Sequence, residues 1–123
     1  FKKTIFIKKT YYTRLLHYTK LCDIGWAVIE NKGRSNYFAL PNKLFEYGLS
    51  GLPSISSCLP NMATIINKHS LGITVPEKDI KKQIEAVQQL IQNKKPKSYY
   101  KNIIKQNFYW SSESKKLLHI INE

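Results

Sequence analysis

The chain has 123 residues, of which 42% are hydrophobic, and this size and composition are typical of one globular domain. Twenty lysines and arginines against eight acidic residues give a formal net charge of +12. The recurring apolar and aromatic residues exclude a chain disordered by composition, and no apolar run reaches the roughly 20 residues of a membrane span.

Short β-prone runs alternate with helical patterns along the chain. In order, we predict the strand Thr4–Ile7, the helix Tyr12–Leu21, the strand Ile24–Ile29, a polar loop over 31–40, the helix Asn42–Ser50, the strand Ser54–Ser57, the helix Asn61–Lys68, the strand Gly72–Val75, the helix Glu77–Gln92 and one or two helices over Tyr99–Glu123. This alternation favours an α/β domain, with about four strands in a Rossmann-like, mostly parallel sheet and helices on both faces.

Several positions have predicted roles inside these elements. Gly51 stands where a left-handed residue ends the helix, and 94–96 (KKP) breaks the chain between helices. The spacing predicts that Phe45 and Leu49 face the core and that Ser111 caps the last helix. The long helix has its apolar positions on one face: Ile80, Ile84, Val87 and Ile91.

Cysteines and histidines, which often take part in catalysis or metal binding, are few in this chain. Cys22 and Cys58 lack the spacing of a metal site and are interpreted as buried free thiols in a reducing compartment. The histidines have no shared spacing and no catalytic residue is assigned; they are His17, His69 and His119. Tyrosines interleaved with lysines could stack on bases. More commonly, such tyrosines are buried in the core, or they place the ring on apolar surface and the hydroxyl in water.

The segment 39–53, ALPNKLFEYGLSGLP, carries the chemistry. Its helix starts directly after a strand and loop, at the edge of a parallel sheet where ligands bind. The first N–H groups of a helix have no internal partner, so with the helix dipole and Lys43 they suit a diphosphate. Glu46 could accept hydrogen bonds from a ribose diol. The alternative is a surface carboxylate paired with Lys43.

The motif PNKLFEY followed by SGLPSISSCLP resembles the signature of retaining, GT-B-fold glycosyltransferases of the family 4 type. CDIGWAVI resembles the strand before that signature, LPNM the segment after it, and HSLGITV the next strand. Trp110 resembles an aromatic residue often found near the end of the donor domain. The resemblance covers nearly all of the chain from Thr4 on, with its elements in the family's order.

The resemblance implies that Glu46 binds the donor ribose and that 40–43 surrounds the diphosphate and sugar: Leu40, Pro41, Asn42 and Lys43. Gly51 and Pro53 would form the turn beneath the site. There are departures from the family pattern. Phe38 replaces a second acidic residue, and Asn61 stands where glutamate is common. Two strand–helix units that supply an arginine and a lysine, and the acceptor domain, have no counterpart in residues 1–123.

We therefore expect a partial donor-binding domain, inactive alone, of a cytoplasmic hexosyltransferase. Its parent enzyme would transfer sugar with retention from a UDP- or GDP-sugar to a glycan or lipid-linked acceptor. No metal or other cofactor is expected, and nucleic acid is an unlikely ligand. The basic surface could contact a membrane, at its cytoplasmic face, and the open sheet edge could form a homodimer. The alternative function is a non-catalytic, basic binding or scaffold domain.

Overall fold

A computed structural model describes residues 3–122. Glu123, with which the last predicted helix ends, lies outside them. The described helices are α1 (Tyr12–Leu21), α2 (Gly33–Tyr37), α3 (Asn42–Leu49), α4 (Pro60–Lys68), α5 (Ile80–Gln92), α6 (Lys97–Phe108) and α7 (Trp110–Ile121). The strands are β1 (Gly25–Ala27), β2 (Ser54–Ser57) and β3 (Gly72–Val75).

The three strands form one open sheet in the order β1-β2-β3, and both pairings are parallel. Pairing begins where the Gly25 N–H donates to the Pro53 carbonyl at 2.9 Å. Gly72 lies directly against Ser54, because a Cβ atom at Gly72 would stand 1.8 Å from the Ser54 carbonyl oxygen. The α/β class and the parallel sheet are therefore as predicted.

Helices cover both faces of the sheet. On one face α3, α4 and α6 enclose a core of buried side chains that includes Leu44, Met62 and Ile104. On the other face α5 covers Ile55 and Val75 through Ala86. The strand alternation explains this division, because successive side chains of a strand point to opposite faces.

The predicted strand Thr4–Ile7 is wrong. These residues are in no helix or strand, and Ile5 and Phe6 are 86% and 91% exposed. A β-prone run forms a strand only beside a partner strand, and none lies next to it in residues 3–122. The described sheet thus has three strands instead of about four. The predicted loop 31–40 also contains the short helix α2.

The predicted core face of α3 is corrected, and the apolar face predicted for α5 is mostly uncovered. In α3 the buried residues are Leu44 and Gly48, while Phe45 is half-buried and Leu49 is exposed. In α5 the buried residue is Ala86, and only Val87 of the predicted apolar face packs on the core. The other members of that face are exposed: Ile80, Ile84 and Ile91. Helical spacing predicts which residues share a face, but that face is buried only where another element packs against it.

Two further positions differ from prediction. Tyr109 precedes α7, so Ser111 lies inside that helix and does not cap it. Cys22 and Cys58 are free thiols as predicted, but both are exposed. Cys22 follows α1, which has no buried residue, and Cys58 follows β2 where the chain leaves the sheet. Within residues 3–122, no helix is long and apolar enough to cross a membrane.

Candidate functional site

The candidate site lies where α3 begins, at the carboxyl edge of the parallel sheet. The chain leaves β1 at Ala27, forms α2, and enters α3 through Pro41. Pro41 has extended backbone angles, and no side chain within residues 3–122 caps the first turn of α3. The amide donors of this turn are thus without a side-chain acceptor among the described residues.

Side-chain amides hold the loop that leads into α3. The Asn61 Nδ2 group, in the first turn of α4, donates to the Phe38 carbonyl at 2.7 Å. The Asn36 Nδ2 group donates to the Glu30 carbonyl at 2.9 Å. In the sequence, Asn61 stands out only because glutamate is common at this position in the glycosyltransferases that the motif resembles. In the structure it ties the start of α4 to the end of the loop.

The carboxyl ends of β1 and β2 are joined by Ser57. Its Oγ atom accepts a hydrogen bond from the Ile29 N–H at 2.7 Å and donates to the Ile29 carbonyl at 2.6 Å. Ser57 is fully buried, so this exchange replaces ladder bonds that β1 cannot make beyond Ala27. It fixes the direction in which the chain leaves the sheet toward the site.

Acidic side chains border this edge but point to neutral or basic partners. Glu30 pairs with Lys32; this contact lowers the pKa of the Glu30 carboxyl and raises the pKa of Lys32. Glu77 accepts from the Asn31 N–H at 3.4 Å, which links the loop after β3 to the loop after β1. Among the described residues there is no group of three or more metal-binding side chains of histidine, cysteine, aspartate or glutamate.

The residues predicted to form the donor site lie close together around the start of α3. Pro41 and Lys43 are half-buried, and Leu40 and Asn42 are exposed. Glu46 is half-buried in the second turn of the same helix. Helical spacing places Lys43 and Glu46 on neighbouring turns of one side, so both can reach a ligand lying along α3.

Glu46 does not pair with Lys43. Instead its Oε1 atom accepts a hydrogen bond from the Tyr12 hydroxyl at 2.9 Å. This bond, with a smaller effect of burial and of the carboxylate charge, raises the pKa of Tyr12. Among residues 3–122, Lys43 has no ion pair. The predicted alternative, a mutual surface pair of Lys43 and Glu46, is therefore absent from this part of the chain.

Gly51 has the left-handed conformation predicted for the residue that ends α3. Gly51 adopts φ +82°, the left-handed region, and its N–H donates to the Gly48 carbonyl at 2.9 Å. Pro53 is buried and starts the pairing of β2 with β1. Tyr47 packs over Gly25 and donates its hydroxyl to the Trp26 carbonyl at 3.0 Å, which holds α3 against β1.

Tyr12, Ser57 and Asn61 are the site-shaping residues that sequence reasoning missed. No local signal identifies them, because each acts on a residue 23 to 34 positions away. Of the histidines, His17 is exposed, and His69 packs edge-on against Phe108 with a pKa lowered mainly by burial. A cavity of about 460 Å³ lies away from this site, between β3 and α5.

No protein family, curated protein or solved structure matches the chain.

Proposed function

We propose that the chain is the nucleotide-sugar-binding part of a retaining glycosyltransferase of the GT-B type. The observation that carries the proposal is the juxtaposition, on α3, of an uncapped first turn, Lys43 and the half-buried carboxylate of Glu46. These groups suit a ligand that carries both a phosphate and a diol. Backbone amides and an ammonium group bind phosphate, and a carboxylate accepts hydrogen bonds from hydroxyls.

In this proposal the donor lies along α3 at the carboxyl edge of the sheet. The first-turn amides and Lys43 bind the diphosphate, and Glu46 binds the ribose hydroxyls. As the sugar leaves, negative charge grows on the diphosphate, and the same amides and Lys43 stabilise it. The acceptor, a glycan or a lipid-linked sugar, would be bound outside residues 3–122.

The position of Glu46 supports this role but also sets a condition. Its Oε1 atom already accepts from Tyr12, so a ribose must either bind beside the phenol or displace it. A carboxylate has two oxygens with about four lone-pair sites. Glu46 can therefore keep Tyr12 and still receive a ribose hydroxyl on its other oxygen.

The test is calorimetric titration of the chain with UDP, GDP and ADP, repeated on Glu46→Ala and on a control, Glu85→Ala. Glu85 is exposed on α5, and its loss changes the net charge equally. We expect one nucleotide to bind and Glu46→Ala to weaken it by about 1.5–3 kcal/mol, the range for a hydrogen bond to a charged group. Glu85→Ala should leave binding unchanged. Absence of nucleotide binding, or equal losses in both variants, would contradict a donor site at Glu46.

A protein-binding scaffold is the second candidate function, and one observation favours it. The sheet ends at β1, where Trp26 is 46% exposed on the face that α5 covers only in part. Ile84 and Ile91 of α5 are exposed as well. An open sheet edge with an exposed aromatic side chain is typical of an interaction surface. A scaffold would bind no nucleotide, so the same titration separates the two functions.

A further inference from the structure

The last helix, α7, has an apolar face that nothing in the described part of the chain covers. Four of its apolar residues stand at i, i+7, i+8 and i+11: Trp110, Leu117, Leu118 and Ile121. Their exposed fractions are 71%, 48%, 56% and 67%, and no residue of α7 is buried within residues 3–122. This spacing places all four side chains along one side of a helix.

The opposite side of α7 is polar and basic. Lys115 and Lys116 lie there by the same spacing, and Lys116 pairs with Glu113 at 2.7 Å. The segment that leads into and forms α7 is basic too: 94–121 contains seven lysines and one carboxylate, that of Glu113, and of these lysines Lys94 pairs with Asp23 and Lys116 with Glu113. An amphipathic helix with tryptophan on its apolar side and lysines on its polar side is the form that lies in a membrane interface.

We propose that α7 binds the surface of an anionic lipid bilayer, with its apolar face inserted among the acyl chains and the lysines of 94–121 over the head groups. Charge decides between this occupant and a second copy of the chain. A second copy carries the same +12 and would bring two basic segments together, whereas anionic head groups attract each lysine near the surface. The proposal does not depend on the donor site, and its test contains no nucleotide.

The experiment follows Trp110 in vesicles. In the Trp26→Phe variant Trp110 is the remaining tryptophan. Vesicles of phosphatidylcholine with an equal share of phosphatidylglycerol should blue-shift its fluorescence, and brominated acyl chains should quench it. Pure phosphatidylcholine vesicles should bind about tenfold or more weakly, since the lysines then lack anionic partners.

Two double variants separate insertion from general attraction. Leu117→Glu with Ile121→Glu places charge on the apolar face and should lower vesicle co-sedimentation by about tenfold or more. Gln88→Glu with Gln92→Glu on α5 makes the same change in net charge at exposed positions remote in sequence from α7, and should lower it only slightly. Circular dichroism checks that both variants keep their helices.

Four results would overturn the proposal. The first is equal binding to both kinds of vesicle or to neither. The second is an equal loss in the two double variants, which would reduce the effect to net charge. The third is a concentration-dependent dimer of the chain alone that Leu117→Glu with Ile121→Glu abolishes, which would assign the face to a second copy. If α7 is unchanged but brominated lipid does not quench the fluorescence of Trp110, insertion of this helix is also excluded.

Discussion

The contact between Tyr12 and Glu46 couples the first helix to the candidate site. The phenol donates to the carboxylate at 2.9 Å, which raises the pKa of Tyr12 above its ordinary value of 10.0. Because the folded-state pKa is the higher one, any stability from this bond is complete below pH 10 and is lost as pH rises through the folded pKa. Near neutral pH the phenol stays protonated, and its hydroxyl donates a hydrogen bond to Glu46.

Removing this phenol should change nucleotide binding if Glu46 is the ribose-binding residue. In Tyr12→Phe the Oε1 atom of Glu46 also becomes available, so both carboxylate oxygens can accept from the ribose diol; we expect the affinity for the preferred nucleoside diphosphate to rise by about threefold, the worth of a modest hydrogen bond. Calorimetric titration measures this change. Tyr11→Phe is the matched control, since Tyr11 is exposed and precedes α1. Weaker binding in Tyr12→Phe would show that the phenol contacts the ligand and does not compete with it.

At the scale of the elements, β2 and β3 owe their close pairing to a missing side chain. Gly72 and Ser54 are register partners, and a Cβ atom at Gly72 would lie 1.8 Å from the Ser54 carbonyl oxygen. That oxygen belongs to the backbone of the central strand and cannot rotate away. Any larger residue must therefore push β3 from β2 or distort the strand.

Gly72→Ala should destabilise the fold by about 1–3 kcal/mol, the usual range for overpacking, as measured by urea unfolding. Ser70→Gly, two residues earlier, is the contrasting variant. Ser70 has φ +50°, and glycine adopts this conformation without a Cβ penalty, so its stability should stay within about 1 kcal/mol of the wild type. If Gly72→Ala unfolds at the same urea concentration as Ser70→Gly, the contact at Ser54 is looser than the structure indicates.

The elements that were predicted well from the sequence are those whose ends are marked by local residues such as proline. Ser54–Ser57 follows Pro53 and ends before Pro60, and its bounds are confirmed. The strand Thr4–Ile7 had comparable β-propensity but has no described neighbour with which to pair. Strand formation depends on such a neighbour, which a local pattern does not contain.

For the molecule as a whole, the same limit separates the predicted part of the site from the rest. The spacing placed Lys43 and Glu46 one turn apart at the start of a helix, and α3 has this arrangement. Tyr12, which occupies Glu46, is 34 residues away, and Asn61 is 23 residues from the carbonyl that it binds. The packing of the helices around the sheet brings these pairs together, so they follow from the assembled fold and not from the motif.

The charge of the whole chain should control its stability. The ion pairs between described residues are all solvent-exposed, and such pairs contribute little, so repulsion within a net charge of +12 outweighs them. Raising NaCl from about 0.01 M to about 0.1 M shortens the screening length from about 30 Å to about 10 Å. We therefore expect the urea midpoint of unfolding to rise with salt.

A charge-reduced variant tests the cause of that rise. Lys81→Gln with Lys105→Gln removes two exposed positive charges and should raise the urea midpoint at low salt, with the gain shrinking as NaCl is added. The control, Lys81→Arg with Lys105→Arg, keeps both charges and should follow the wild type at every salt concentration. A wild-type midpoint that falls with NaCl would mean that attraction in pairs such as Asp23–Lys94 outweighs the repulsion of the chain's surplus positive charge.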